Sequence, residues 1–255
     1  PAAAPVMNVQ TVSAATTKAA VLKNTWSKDH KYYYDKNGKK ATGWYQSVAG
    51  NKYYFGKTGA AKAGILTISG KKYCFNSKGK MLTGWQTVNG KTYFFDAKKG
   101  YMYTGWITTA AGNKYYFWND GAVRAGFHKV NNVYYCFSEK GKMYKNCFRK
   151  NGNSTYYLQA NGTMAKGRLK VKGSWYSFNR NTGQLVTSGW YKETDGSYYY
   201  AGSNGKLVKG FYKPDSYYRY FRESDCKLLT GWQTINGHKY YFKKTNGIRY
   251  DDIIL

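Results

Sequence analysis

The strongest constraint in this sequence is a period. The phrase Thr83-Gly84-Trp85-Gln86-Thr87-Val88-Asn89-Gly90-Lys91 returns nearly unchanged as Thr230-Gly231-Trp232-Gln233-Thr234-Ile235-Asn236-Gly237-His238. A Gly-aromatic step recurs at Gly43, Gly64, Gly84, Gly105, Gly126, Gly167, Gly189, Gly210 and Gly231, with Asn146 filling the one gap. Successive spacings are 20 to 22 residues. Such a period marks a repeat architecture in which each unit buries its apolar face on its neighbours. Thr25-Trp26 opens a truncated first unit.

Every unit has the same internal order. The Gly-Trp step starts a short run, and a turn such as Asn89-Gly90 or Asn236-Gly237 follows. Asn-Gly is the strongest short-range hairpin signal, because a type I′ turn needs positive φ at both central residues. Next comes an aromatic triplet: Tyr53-Tyr54-Phe55, Tyr73-Cys74-Phe75, Tyr93-Phe94-Phe95, Tyr115-Tyr116-Phe117, Tyr135-Cys136-Phe137, Tyr198-Tyr199-Tyr200 and Tyr240-Tyr241-Phe242. A polar turn carrying glycine, such as Asn76-Ser77-Lys78-Gly79, closes the unit. Two short strands per unit and no helical periodicity predict an all-β chain. Triplet positions one and three share a strand face. Position three is apolar throughout, so the face it shares with position one is expected to pack between units, with position two less enclosed. A lone hairpin is at best marginally stable. The fold expected is therefore an elongated solenoid of stacked two-stranded β-hairpins, about eleven repeats over residues 25–250. Residues 1–24, rich in Ala, Thr, Val and Ser, read as a flexible segment downstream of a removed export signal. Residues 251–255 read as a tail.

Composition narrows the function. An aromatic fraction of 19% excludes disorder for most of the chain. No apolar run approaches the ~20 residues of a transmembrane helix. Lys and Arg number 41 against 12 Asp and Glu, for a net charge of +29. That field suits an anionic partner, but the basic residues are spread over every unit rather than gathered in one patch. No nucleic-acid-binding signature is present, and we expect no specific nucleic-acid partner. Three histidines and twelve scattered carboxylates leave little for catalysis or a metal site. His30, His128 and His238 have no second ligand at metal spacing, so no enzyme activity, cofactor or metal is expected. Cys74, Cys136, Cys147 and Cys226 form no C-x-x-C pair. The first two share triplet position two as small apolar residues, Cys147 takes the place of the Gly-Trp aromatic, and Cys226 that of a turn glycine. Free buried thiols are expected.

The period, the Gly-Trp step, the Asn-Gly turn and the Tyr-Tyr-Phe triplet together resemble the cell-wall or choline-binding repeat superfamily of Gram-positive surface proteins. Its members include the glucan-binding repeats of glucosyltransferases and the C-terminal repeats of clostridial toxins. The resemblance covers about residues 25 to 250. It implies a secreted or cell-wall-associated, non-catalytic stack of hairpins with ligands held between repeats. Choline-type repeats place a Trp directly before the Tyr-Tyr pair. Here that place holds Lys52, Lys72, Thr92, Lys114, Val133 shifted by one, Thr155 and Lys239, and only Trp175 matches. Lysine beside an aromatic box would repel a trimethylammonium group. The expectation is therefore binding of a polysaccharide or cell-wall glycan, neutral or anionic. A choline or teichoic-acid wall anchor and a toxin-like host-glycan module are the alternatives. The expected ligand residues are Trp44, Trp85, Trp106, Trp190 and Trp232 with Tyr53, Tyr93, Tyr115, Tyr198 and Tyr240. The unit around Asn146, Cys147 and Arg168, which lacks Gly-Trp, is expected to be a weak site.

Overall fold

The computed structural model describes residues 22–250. All but the last three residues of the expected N-terminal segment, and the whole of the expected tail, lie outside them. Among the described residues every regular element is a strand, and the strands form eleven sheets, ten of two strands and one of three. Each sheet is built from antiparallel neighbours in sequence. The chain divides into two compact units, one ending at Tyr103 and the other starting at Thr104. The same hairpin repeat builds each.

Register is uniform. Gly84–Val88 pairs with Lys91–Phe95 so that Gly84 faces Phe95, Trp85 faces Phe94 and Gln86 faces Tyr93. Gly231–Ile235 and His238–Phe242 repeat this pairing. The turns are those the sequence asks for. Asn89 and Gly90 have φ of 50° and 73°, and Asn236 and Gly237 have 51° and 82°. Positive φ at both central residues is the type I′ signature, whose twist matches that of the flanking strands. The truncated first unit also forms, with Thr25 opposite Tyr34 and Trp26 opposite Tyr33.

Position three of the triplet is the core. Phe95, Phe117, Leu158, Phe178, Phe221 and Phe242 are fully buried, and Phe55, Phe75 and Phe137 nearly so. Each such side chain contributes about 1.5–3 kcal/mol by leaving water, more than an isolated hairpin could supply. Backbone hydrogen bonds link successive hairpins. The residue before one triplet accepts from the residue after the next closing turn, as in Met102 N–H to Lys72 O and Met143 N–H to Lys114 O, both 2.8 Å. Position two is less enclosed than position three, as expected, but it is not open in every unit. Cys74, Cys136, Tyr157 and Ser177 are buried there, while Tyr54, Phe94, Tyr116, Tyr200, Tyr220 and Tyr241 are half-buried.

The closing turn explains its own glycine. Gly141 has φ of +76°, and a Cβ built there would overlap Cβ of Val123 in the preceding turn. Gly162 and Gly183 meet Met143 and Met164 in the same way. Consecutive turns thus approach backbone to side chain, which needs both positive φ and a missing Cβ. Cys226 occupies this place in its unit, as expected, with φ of 64° and its thiol 3.7 Å from Leu207 O.

Register departs from the expected frame in three places. The triplet expected at Tyr198-Tyr199-Tyr200 is Tyr199-Tyr200-Ala201, since Ala201 faces Gly189 and is fully buried. Tyr198 therefore stands one place before the triplet. Cys147 faces Leu158 and so takes the glycine place, which puts Phe148 opposite Tyr157 in the Trp place. Asn146 supplies the positive φ of 52° that glycine supplies elsewhere. Finally, Arg219 faces Tyr212 and occupies triplet position one in a unit whose triplet is Arg219-Tyr220-Phe221.

Two glycines between Thr104 and Tyr250 separate conformational from steric cost. Gly126 has φ of +87°, and a methyl group added there would have nothing within 4 Å, whereas one on Gly141 would meet Val123. Gly126→Ala is expected to cost roughly 1 kcal/mol for the left-handed backbone alone, and Gly141→Ala about 1 kcal/mol or more beyond that. Urea unfolding of the two variants checks the order. Equal losses would mean that the turns do not press on one another.

Candidate ligand-binding site

Stacking the hairpins creates a recurring corner. The ring following the glycine of one hairpin meets the position-one residue of the next hairpin. The residue before the first hairpin's triplet stands beside them, and the residue after the next closing turn forms the floor. Trp44 meets Tyr73 with centroids 4.9 Å apart at 75°. Trp106 meets Tyr135 at 5.0 Å and 70°. Edge-to-face packing of this kind suits the ring quadrupoles and leaves ring faces free on the outer side. Trp44 is 44% exposed and Trp106 38%, large values for indoles each already packed on three rings. Trp44, Tyr73 and Met81 line a cleft of about 330 Å³, with Lys52 and Lys99 at its rim. Phe127, Tyr134, Tyr156 and Met164 line another of about 720 Å³, in which Phe127 and Tyr156 are 5.2 Å apart.

The expected residues distribute as follows. Trp85, Trp190 and Trp232 are exposed like Trp44 and Trp106, and each packs edge-on against position two of its own hairpin: Phe94, Tyr200 and Tyr241. Tyr53 is half-buried against Trp26 at 4.8 Å, and Tyr240 against Phe211 at 5.2 Å. Tyr93 and Tyr115 are half-buried position-one rings facing Gln86 and Ile107. Tyr198 is exposed but is not a position-one ring; it lies beside the corner, where Lys52 lies in its own hairpin.

Sequence reasoning expected position-one tyrosines as a group but did not single out Tyr73, Tyr135 and Tyr156, the partners that turn single rings into corners, nor Phe127 and Phe148, which replace Trp. The signal was in the repeat: a ring pairs with the position-one tyrosine one period downstream. The unit around Asn146 and Cys147 is not stripped of rings, because Phe148 meets Tyr176 at 5.2 Å. Arg168 is the true departure.

Charge around these corners is unequal. Among the described residues Lys52 and Lys114 lie over no ring, while at the Phe127 corner Lys129 holds its Nζ 5.9 Å from the Tyr134 ring. Arg168, by contrast, places its guanidinium 4.6 Å from the Trp175 ring and 4.0 Å from Tyr199. Arg219 lies 5.2 Å from Trp190. Its Nη1 donates to Asp215 Oδ1 at 2.8 Å, which holds that carboxyl below the usual range. Burial raises the Tyr199 phenol pKa, and the neighbouring Arg168 cation opposes the shift. Asp195 is held low, chiefly by the backbone N–H of Ser197.

The cysteines take no part in the corners as nucleophiles or as bridges; all four are free. Burial pushes the Cys136 thiol up to about 11 and raises Cys74 and Cys226 as well. A raised thiol pKa withholds the thiolate, which is the reactive form. At pH 8 a disulfide reagent is therefore expected to modify at most Cys147 in the folded protein and all four after unfolding. Rapid modification of two or more native thiols would contradict the burial described.

Comparison with known proteins agrees with this geometry. The family described as choline-binding repeat matches residues 82–125 and 148–190. The family described as putative cell wall binding repeat matches 42–61, 188–207 and 230–248. Choline binding protein F from Streptococcus pneumoniae is 27% identical with a TM-score of 0.57, covering 88% of this chain and 91% of that one. CbpJ from the same species aligns at 24% identity and a TM-score of 0.60, covering 88% and 92%. The choline-binding domain of its CbpL aligns at 23% and 0.54, covering 74% and 97%. The last two likenesses speak to fold alone. No curated protein matches the chain by sequence.

Proposed function

We propose that this chain, which belongs to the cell-wall and choline-binding repeat superfamily, attaches to a bacterial cell wall by seating choline groups of wall polymers in the ring corners between its hairpins. The observation that carries this reading is the repeated corner of an exposed indole against a tyrosine one hairpin on, at Trp44 with Tyr73 and at Trp106 with Tyr135. A quaternary ammonium has no hydrogen to donate and is recognised by the negative faces of several rings at once. Two rings and a methionine floor offer such faces, and the Phe127, Tyr134 and Tyr156 cleft offers three rings. The name of choline binding protein F points the same way, and one of its structures was solved in the presence of a peptidoglycan analogue.

Lysine before the triplet weighed toward glycan in the sequence. In the fold Lys52 lines the Trp44 cleft without lying over its rings, so it takes the place of an aromatic wall without occupying the box. Choline binding thereby moves ahead of sugar stacking. The reading is non-catalytic and places the chain at the cell surface. Many weak corners along one polymer bind through effective concentration rather than through any single tight site. The net charge of +29 adds attraction to an anionic polymer, which salt screens.

Retention on a choline-derivatised resin tests the proposal. Free choline is expected to elute the protein, and high salt to weaken binding without abolishing it. A Trp44→Ala/Trp106→Ala double variant, shown by circular dichroism to fold, should lose roughly tenfold in apparent affinity, the worth of one to two exposed cation–π contacts. Retention that salt abolishes and choline leaves untouched would replace this reading with binding of a polyanion through lysine.

A further inference from the structure

We propose that Arg168 and Arg219 are built-in cations that close two consecutive ring corners to cationic ligands, restricting choline to corners such as those at Trp44, Trp106 and Phe127. The inference rests on the reading of the corners as choline sites.

Strand register sets equivalent places side by side. At the Phe127 corner the four places hold Phe127, Tyr134, Tyr156 and Met164, with rings at the first three and a solvent-exposed Lys129 5.9 Å from Tyr134. Two hairpins later the same places hold Arg168, Trp175, Tyr199 and Leu207. This corner has the one Trp that matches the choline-type pattern before its triplet. It also has a cation of its own. The Arg168 guanidinium lies 4.6 Å from Trp175 and 4.0 Å from Tyr199, the position relative to two rings that a bound ammonium would take. The arrangement is braced from the following closing turn. Arg168 Nη1 donates to Asp225 O at 3.3 Å, and the Trp175 indole N–H donates to Ser224 O at 3.3 Å.

The next corner repeats the outcome from a different place. Trp190, Tyr198 and Leu228 keep their positions, and Arg219 replaces the position-one tyrosine. Its side chain is 6% exposed. Nε donates to Asn246 O at 3.0 Å and Nη1 to Asp215, so the cation is anchored and a ligand does not displace it. A buried charge is retained where it is paired and hydrogen-bonded, and this one is both. A second cation brought against Trp190 would meet this fixed guanidinium 5.2 Å from the ring. The pairing with Asp215 and the nearby Asp195 carboxylate reduce that repulsion, so the exclusion is expected to be weaker here than at Arg168.

Restoring the repeat should reopen the corners. Choline bound per chain, measured by equilibrium dialysis, is expected to rise by about one in Arg168→Trp and by about one in Arg219→Tyr, with both increments in the double variant. Arg168→Gln removes the charge at similar length and serves if the larger ring prevents folding; it should also gain binding. Folded variants that bind no more choline than the parent would overturn the proposal. The two readings fail separately. Choline binding by the parent chain reports on the corners at Trp44, Trp106 and Phe127. The increment from parent to variant reports on closure, and an increment from zero supports closure while removing the wall-binding reading.

Discussion

A hairpin of this length cannot stand alone, and the packing of its core ring against a neighbour decides the rest. Two strands of at most five residues bury too little to hold themselves, so each unit packs its position-three side chain against the ring of the preceding hairpin, as Phe75 does on Trp44 and Phe178 on Phe148. Phe95, Phe178 and Phe242 are fully buried for that reason. The bare Cα of the closing turn serves the same end, because Gly141 lets one turn lie on Val123 of the turn before. Period, triplet and glycine are therefore one requirement expressed three times.

The requirement that builds the stack also builds the corners. A strand alternates its faces, so fixing position three in the core places position one at the junction with the preceding hairpin. There it meets the ring that follows the preceding glycine, and neither ring can be fully covered. Exposure of Trp44 and Trp106 is a consequence of packing geometry rather than a failure of burial. Small departures from the repeat then have chemical meaning. A lysine before the triplet leaves the corner with fewer walls. An arginine in place of a ring puts the chain's own cation against the remaining rings.

Fold class was legible because period, turn residues and triplet all act locally. The type I′ turns at Asn89-Gly90 and Asn236-Gly237 followed from residue type alone. Register was less legible where the repeat is degenerate. Three adjacent tyrosines at 198–200 conceal which one is core, and only Ala201, small and fully buried, shows the frame. Cys147 looked like a lost aromatic because Asn146, rather than a glycine, carries the positive φ before it. The corners were half legible: exposed indoles were identified, but their partners lie about one period downstream, and single-unit reading does not pair them. Arg219 was invisible to that reading, since its unit lacks the tyrosine that marks position one.

On this reading quaternary ammonium groups enter the corners between hairpins, and ring identity and local charge decide which corners accept them. A crystal structure of the chain soaked with choline is the decisive test. Choline is expected against Trp44 with Tyr73, against Trp106 with Tyr135, and in the Phe127 cleft, with none between Trp175 and Tyr199 or against Trp190. Choline seated beside Arg168, or absent from all three accepting corners at saturating concentration, would contradict the proposed division of the corners.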